Sequence, residues 1–175
     1  MVVWRSILNN LFCEGKYPME SGKNPERIGL IVEGGMGDNL MHTVAIRVLR
    51  KTYPEAKIGV ACVYPQILKF NTNIDELFDA RAPFGFYERY CLANRDFAFH
   101  PKPYESRLYT YGAKHYIDYV CEGCGIKADS HKLDLELTRL EDEDAQTFVD
   151  QLKKETKKPF VLFQPTASFD PVNHR

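Results

Sequence analysis

Short apolar runs alternate along the chain with stretches of helical period, and this order predicts an α/β fold. Arg27–Val32 and Lys57–Val63 are largely apolar runs, which are typical of buried parallel strands. Between them, apolar residues from Leu40 to Leu49 recur every three or four positions, which predicts a helix that ends before Pro54. A strand, a helix and a strand in this order predict a right-handed parallel crossover. The pattern therefore predicts a Rossmann-like parallel sheet with flanking helices.

Weaker patterns of the same kind continue downstream. They predict a short helix at residues 66–70, a third strand from residue 74, a fourth strand at residues 95–99, a helix at residues 111–124 that stops at Gly125, and a last helix at residues 141–157. The last helix is predicted to turn Ala145, Phe148, Val149 and Leu152 inward. The alternation of Leu133, Leu135 and Leu137 predicts one further strand.

Both ends of the chain are predicted to lie outside this domain. Residues 1–26 combine an amphipathic helix at residues 2–12 with a linker that contains glycine and proline. This helix would pack on its own domain, on a partner, or shallowly on a membrane surface. The apolar strand Pro159–Gln164 needs a sheet to join. We therefore predict three parts: residues 1–26, a Rossmann-like domain over residues 27–158, and the start of a second domain over residues 159–175.

Composition mainly excludes classes of function. A net charge of −1 argues against a nucleic-acid partner. Five cysteines are an odd number without the density of a disulfide framework, which indicates a reducing compartment. No apolar run approaches the roughly 18–20 residues that span a bilayer. These features predict a cytoplasmic protein, with peripheral contact at the inner face of the membrane as the one membrane role left open.

The turn after the first strand carries the main candidate chemistry. Gly34, Gly35 and Gly37 allow a tight turn and the close approach of a ligand to the backbone. Asp38 follows where a helix begins, and a helix N-terminus offers free N–H groups and the positive end of the helix dipole. Asp38 is therefore either a helix N-cap or a catalytic base that the dipole keeps anionic.

The segment from Gly35 to Pro54 resembles the N-terminal signature of the family 9 glycosyltransferases, the heptosyltransferase-like enzymes. The stretch Gly35-Met-Gly-Asp-Asn-Leu-Met-His-Thr43 is similar to the turn and helix start of that family, and Val48-Leu-Arg-Lys-Thr-Tyr-Pro54 is similar to the helix end. A weaker likeness covers about residues 27 to 170. The resemblance implies a GT-B architecture, in which two Rossmann-like domains face a cleft. This chain would supply the acceptor-side half and the opening of the second half.

The resemblance also implies an activity. It is the inverting transfer of a sugar, with heptose as one candidate, from a nucleotide-diphosphate sugar to a lipopolysaccharide or other surface-glycan acceptor, without a cofactor or metal. Asp38 would be the base, and the substrate would meet the positions Gly34, Gly35, Gly37, Asn39 and His42. The partners would be the donor, a glycan or lipid-linked glycan acceptor, and a continuation or partner that supplies the second domain. Without that domain the chain alone is expected to be inactive.

Ten aromatic residues between positions 81 and 116 are interleaved with basic residues. Sugar rings pack on aromatic faces, and basic side chains pair with phosphate or carboxylate groups. The pattern indicates either an acceptor-binding surface, with Arg89 and Arg107 as candidate contacts, or core aromatic residues beside solvated charges.

Other interpretations stay open. The glycine-rich turn also suits a Rossmann-like domain that binds S-adenosylmethionine or NAD, although the second strand leads into Tyr64 and Pro65 rather than into an acid for a ribose. A non-catalytic glycan-binding or assembly module is a third possibility. Cys121-Glu-Gly-Cys124 suggests zinc or redox chemistry. Both cysteines fall on the apolar stripe of their helix, however, which favours core packing.

Overall fold

The structure is a computed structural model that describes residues 24–92 and 97–156, together with residues 159 and 161. The chain divides into two compact units between Glu136 and Leu137. The helix predicted at residues 2–12 and nearly all of the linker lie outside the described residues, as do four of the six residues of the strand predicted at residues 159–164. The three predicted domain ranges stay predictions.

The first unit alternates strands with helices, as the sequence pattern predicts. The strands are β1 (Arg27–Val32), β2 (Lys57–Cys62), β3 (Glu76–Asp79) and β4 (Ala98–Phe99). The α-helices are α1 (Met36–Met41), α2 (Thr43–Thr52), α3 (Pro65–Leu68), α4 (Phe84–Phe86), α5 (Arg107–Thr110) and α6 (Tyr116–Gly123). A π-helix, Tyr87–Leu92, continues α4, and a 3-10 turn, Pro103–Glu105, follows β4.

Within the described residues, the strands form one parallel sheet in the order β3-β2-β1-β4. This arrangement confirms the predicted α/β fold class with a Rossmann-like sheet. The chain moves outward from β1 to β2 and β3 and then returns to the other side of β1 as β4. The carboxyl ends of β1 and β4 therefore mark the point where the strand order reverses. Open α/β sheets bind their ligands at such points.

Apolar packing covers both faces of the sheet. On one face, the fully buried Ile28, Leu30 and Val32 of β1 join a cluster that includes residues of α2 and α6. On the other face, Phe86 and Tyr90 join a second cluster formed by α4, the π-helix and the sheet. Burial of each such side chain stabilises the fold by about 1.5–3 kcal/mol, so the sheet is a rigid base for its loops.

A close approach between β2 and the π-helix yields a stability prediction. A Cβ atom on Gly59 would lie 2.4 Å from a ring atom of Tyr90, whose side chain is fully buried. We expect Gly59→Ala to lower the free energy of unfolding by about 1–3 kcal/mol, because the ring must move within a packed core. Urea denaturation measures the change. The matched control is Gly37→Ala in α1, where a Cβ meets no atom within 4 Å, so stability should be unchanged or raised. Equal losses in the two variants would contradict this account of the packing.

Two helices begin at positions other than those predicted. The helix predicted after Asp38 starts earlier, at Met36, and a break at His42 divides it into α1 and α2. The helix predicted from residue 111 starts only at Tyr116, because Gly112 has φ 69° and the N-cap His115 is extended. Gly125 has φ 70°, which confirms the predicted left-handed stop.

The strand predicted from the alternating leucines is wrong. Residues 132–138 have no regular structure, and Leu135 and Leu137 are about half exposed, at 52% and 50%. Only Leu133 of the three packs against the core. The segment is held by side chains instead, since Arg47 of α2 binds Asp134. An alternating pattern therefore coincides here with a loop anchored by an ion pair.

The described part of the second unit is mainly helix α7 (Arg139–Thr156), which confirms the last predicted helix with a start two residues earlier. A capping box explains this start: Thr138 N–H donates to the Glu141 carboxylate, and Glu141 N–H donates to Thr138 Oγ1. The predicted inward face is not buried, since no residue of α7 is buried and Phe148 is 53% exposed. Across the described residues, no helix is both long enough and apolar enough to cross a membrane.

Candidate active site

The loops that follow β1 and β4 meet at Asp38. This residue lies in the first turn of α1, just beyond the carboxyl end of β1. Tyr104 lies in the 3-10 turn beyond β4, and its O–H donates to Asp38 Oδ1 at 2.5 Å. The bond joins residues 66 positions apart along the chain. Asp38 thus stands where the strand order of the sheet reverses.

The second carboxylate oxygen of Asp38 caps its own helix. Gly35 is the N-cap residue, and its N–H donates to Asp38 Oδ2 at 2.7 Å. Asp38 therefore occupies the third helical position rather than the N-cap position that the sequence suggested, and it makes one of the two bonds of a capping box. Capping and catalysis are compatible here, because Oδ2 makes the cap while Oδ1 lies toward Tyr104. The residue is 9% exposed.

The three glycines of the turn differ in what the structure requires of them. Gly34 has φ 95°, and a Cβ there would lie 2.3 Å from Asp38 Oδ2, so only glycine fits against the carboxylate. Gly35 supplies its N–H to the same oxygen. Gly37 is exposed and has open space around it. The structure thus brings all three beside Asp38, and their contact with substrate stays a prediction.

Asn39 and His42 support the turn from the protein interior. Asn39 is fully buried, and its Nδ2 donates to Gly35 O at 2.8 Å. His42 is 1% exposed, its Nδ1 donates to Asp38 O at 2.7 Å, and its ring meets Tyr116 edge-on with centroids 5.7 Å apart. Burial lowers the pKa of His42 to about 4, so the ring is neutral at pH 7. The predicted substrate contacts of both residues stay predictions.

A cluster of tyrosines stands next to the carboxylate. Tyr104, Tyr109 and Tyr116 meet edge to face, with centroid distances between 5.4 and 5.9 Å. Burial and the bond to Asp38 raise the pKa of Tyr104, and burial with the nearby Asp38 charge raises the pKa of Tyr116. Both phenols therefore stay protonated near neutral pH and are able to donate toward the carboxylate. Sequence reasoning missed Tyr104 as a partner of Asp38, and the only signal was its position shortly after the fourth strand.

A second contact links the same two loops. Glu33 directly follows β1 and His100 directly follows β4, with Glu33 Oε2 3.4 Å from His100 Nε2. The His100 side chain is only 7% exposed, whereas the Glu33 side chain is 65% exposed. This contact ties the end of β1 to the end of β4 next to the turn that holds Asp38.

The two predicted arginines lie in different places. Arg89 forms an ion pair with Glu76, the first residue of β3, and its guanidinium lies 4.9 Å from the Phe78 ring centroid. It is therefore tied to the amino end of a strand, whereas Asp38 lies at the carboxyl end of the sheet. Arg107 is exposed at the start of α5, three residues after Tyr104. Arg107 thus follows the turn that supplies Tyr104 to Asp38, whereas Arg89 is held by β3.

The cysteine pair belongs to the core. Cys121 is fully buried and Cys124 is 1% exposed, which confirms the predicted core packing. Burial raises the pKa of Cys121 to about 12 and raises the pKa of Cys124 well above its ordinary value. Buried thiols in this state are poor nucleophiles and poor metal ligands.

Comparisons with known proteins give a distant structural similarity. No protein-family model matches the chain, and no curated protein matches it. The solved structure of the glycosyl transferase family 9 protein from Veillonella parvula DSM 2008 is similar over 73% of this chain and 50% of that chain, with 20% sequence identity and a TM-score of 0.49. The chain thus spans about half the length of that structure.

Proposed function

We infer that this chain is the acceptor-side half of a family-9-like, inverting glycosyltransferase. One observation carries the proposal: a carboxylate stands at the strand-order reversal of a Rossmann-like sheet, oriented by Gly35 N–H and Tyr104 O–H. The same carboxylate occupies the Asp position of the Gly-Asp turn in the sequence signature. Site geometry and signature therefore point to the same residue.

In the proposed reaction, Asp38 takes the proton from an acceptor hydroxyl. The acceptor oxygen then attacks the anomeric carbon of the donor from the face opposite the diphosphate. The new carbon–oxygen bond forms as the bond to the diphosphate breaks, and the diphosphate leaves with the electron pair, so the anomeric centre inverts. A carboxylate oxygen has two acceptor sites, so Oδ1 is able to accept Tyr104 O–H and the acceptor hydroxyl together.

The exposed side chains that follow β4 suit a carbohydrate with negative groups. Tyr104 is 60% exposed and Tyr111 is 82% exposed, so their ring faces are accessible to a sugar. Arg107 adds an exposed guanidinium for a phosphate or carboxylate on the acceptor. By contrast, Phe86 and Tyr90 of the same aromatic stretch lie in the core. We therefore assign the acceptor-binding surface to the part of the stretch after β4.

The finer parts of the proposal follow from the resemblance. The acceptor is a surface glycan such as lipopolysaccharide core, and the donor is a nucleotide-diphosphate sugar, with heptose as one candidate. A second Rossmann-like domain stabilises the leaving diphosphate, and the transfer itself uses neither a cofactor nor a metal. The reaction takes place in the cytoplasm, with the inner face of the membrane as one candidate location.

A thermal-shift panel tests the proposal on this chain. The ligands are a soluble anionic core oligosaccharide, ADP-, UDP-, GDP- and CDP-sugars, S-adenosylmethionine and NAD. A ligand at ~100 times its dissociation constant adds about 2.7 kcal/mol of stability, which is several degrees for a chain of this size. We expect the oligosaccharide to stabilise the chain. Stabilisation by S-adenosylmethionine or NAD instead would overturn the glycosyltransferase proposal.

The two arginines supply matched variants for the same panel. Arg107→Ala should shrink the shift caused by the anionic oligosaccharide, because Arg107 is an exposed cation three residues beyond Tyr104 along the chain. Arg89→Ala should leave the shift unchanged, because Arg89 is paired with Glu76 of β3 and lies against the Phe78 ring. If the two variants behave alike, the acceptor does not bind where we place it.

A further inference from the structure

A cavity of about 360 Å³ opens at the amino end of α6, on the side of the helix away from the core. His115, Asp118 and Glu122 line it, whereas Tyr116 and Ile117 of the same turn are buried. No residue of the turn that holds Asp38 lines this cavity. The cavity is therefore distinct from the candidate active site.

Two imidazoles and a carboxylate meet beside this cavity, and two of these three groups, His115 and Asp118, line it. Ligand-type atoms of His115, Asp118 and His131 all lie within 4.8 Å of one another. The two imidazole rings stack with centroids 4.1 Å apart and an interplanar angle of 11°, and His131 Nε2 lies 2.9 Å from Asp118 Oδ1. His131 comes from the loop after α6, so the group joins a helix terminus to a segment more than ten residues further along the chain.

We propose that His115, Asp118 and His131 bind a divalent transition-metal ion such as Zn²⁺. Two nitrogen ligands and one carboxylate favour zinc, cobalt, nickel or copper over magnesium or calcium, which prefer oxygen ligands. Three protein ligands leave a fourth position for water. The site is structural in this proposal and takes no part in the sugar transfer.

The ligand atoms need only a small contraction. Zinc bonds of about 2.0–2.1 Å place tetrahedral ligand atoms roughly 3.3 Å apart, compared with separations of up to 4.8 Å in the structure. Rotation of exposed side chains supplies this movement, since the His131 side chain is 49% exposed and the Asp118 side chain is 41% exposed. The three ligand atoms are therefore close enough to move into contact with a bound ion.

The proton on His115 must also be placed correctly. Ile117 N–H donates to His115 Nδ1 at 3.2 Å, so this nitrogen is unprotonated in the structure. A metal either takes Nδ1 and displaces this bond, or binds Nε2 after the ring proton moves to Nδ1. Either route gives up one long hydrogen bond at a helix end. Since ligating imidazoles must be unprotonated, metal affinity should fall as the pH is lowered.

A bound ion would clamp the loop after α6 onto that helix. The loop is already held from its other side, because Arg47 of α2 binds Asp129 and Asp134. Metal binding at His131 would fix the segment from both sides. We therefore expect Zn²⁺ to raise the melting temperature of the folded chain by several degrees at ~100 times its dissociation constant.

Titration of tag-free protein with Zn²⁺ and with Co²⁺ tests the proposal. Calorimetry should give one Zn²⁺ site per chain, and Co²⁺ should show the intense visible absorption of a low-coordinate ion. His131→Gln and Asp118→Asn should each weaken binding at least tenfold. His131 is exposed and Asp118 is partly exposed, and circular dichroism checks that the variants remain folded. Asp142→Asn, an exposed acid in the first turn of α7, is the control and should bind as the wild type does.

Two outcomes would overturn the proposal. Equal affinity in the wild type and both ligand variants would show an adventitious ion only. A sulfur-to-cobalt charge-transfer band would place the metal on the buried cysteines instead. Neither readout depends on sugar transfer, so the metal proposal and the proposed function fail or stand separately.

Discussion

Asp38→Asn is expected to reduce turnover by about 10²–10⁴-fold when the nucleotide-binding half is present, while the fold stays nearly intact. An asparagine cannot take up the acceptor proton at neutral pH. Its amide oxygen is still able to accept Gly35 N–H, and its NH₂ group is able to donate to the oxygen of Tyr104, so both contacts of the carboxylate have a replacement. The chemical step is therefore lost without loss of the turn.

Steady-state kinetics and the oligosaccharide thermal shift measure the two halves of this prediction. The value of kcat should fall, whereas the stabilisation by the acceptor should persist. Asp79→Asn is the matched control, because Asp79 also ends a strand of the same sheet but forms an exposed ion pair with Arg81. That variant should keep its turnover. Near-normal turnover in Asp38→Asn would reduce Asp38 to a helix cap.

The second large effect is a loss of stability between pH 6.5 and pH 4 that depends on His42. Burial lowers the pKa of this imidazole to about 4, whereas the unfolded chain has the ordinary value of 6.5. Below pH 6.5 the imidazole binds a proton in the unfolded state but not in the folded state. The free energy of unfolding therefore falls as the pH falls through this window, by up to about 3 kcal/mol, and the contribution is fully present above pH 6.5.

Urea denaturation at several pH values isolates this contribution. His42→Asn keeps a donor for Asp38 O but does not titrate, so its stability should depend less steeply on pH than that of the wild type. Val44→Ala is the control, because it also removes buried atoms near the start of α2 without removing a titrating group. It should lower stability by the same amount at pH 7 and pH 5. An identical pH dependence in the wild type and His42→Asn would show that the imidazole protonates without unfolding.

The carboxylates with lowered pKa values act outside this window. Hydrogen bonds from Arg81 lower the pKa of Asp79 to about 2, and bonds from Arg47 and Lys51 lower the pKa of Asp129 further. Any stability that these groups contribute is lost only as the pH falls below about 4. The effect of His42 on the free energy of unfolding should therefore be measured between pH 4 and pH 6.5.

Local patterns in the sequence sufficed for much of the sheet. β1 has the predicted limits, and β2 ends one residue before the predicted limit. Strands buried on both faces are continuous apolar runs, so the signal is contained in six neighbouring residues. The end of helix α6 is also a local signal. A single glycine, Gly125, adopts the left-handed backbone conformation with which helices commonly end. Burial of Cys121 and Cys124 follows from the apolar stripe of their helix.

Other features depend on residues that are far apart in the sequence. The alternation at Leu133, Leu135 and Leu137 does not mark a strand, because Arg47 anchors the segment as a loop. Arg89 and Arg107 look equivalent in the sequence, yet Glu76 holds the first at the amino end of a strand. Hydrophobic period carries no information about such long-range ion pairs.

The sequence by itself determined the α/β alternation, the glycine turn and the position of Asp38 directly after β1. These features follow from local preferences of the backbone and from apolar period, which act over a few residues. Only the tertiary structure decided that β4 lies beside β1 and so brings Tyr104 to Asp38. It alone brought His131 onto His115 at the surface of α6. Both contacts join residues that are far apart along the chain. They depend on how the whole core packs rather than on any local pattern.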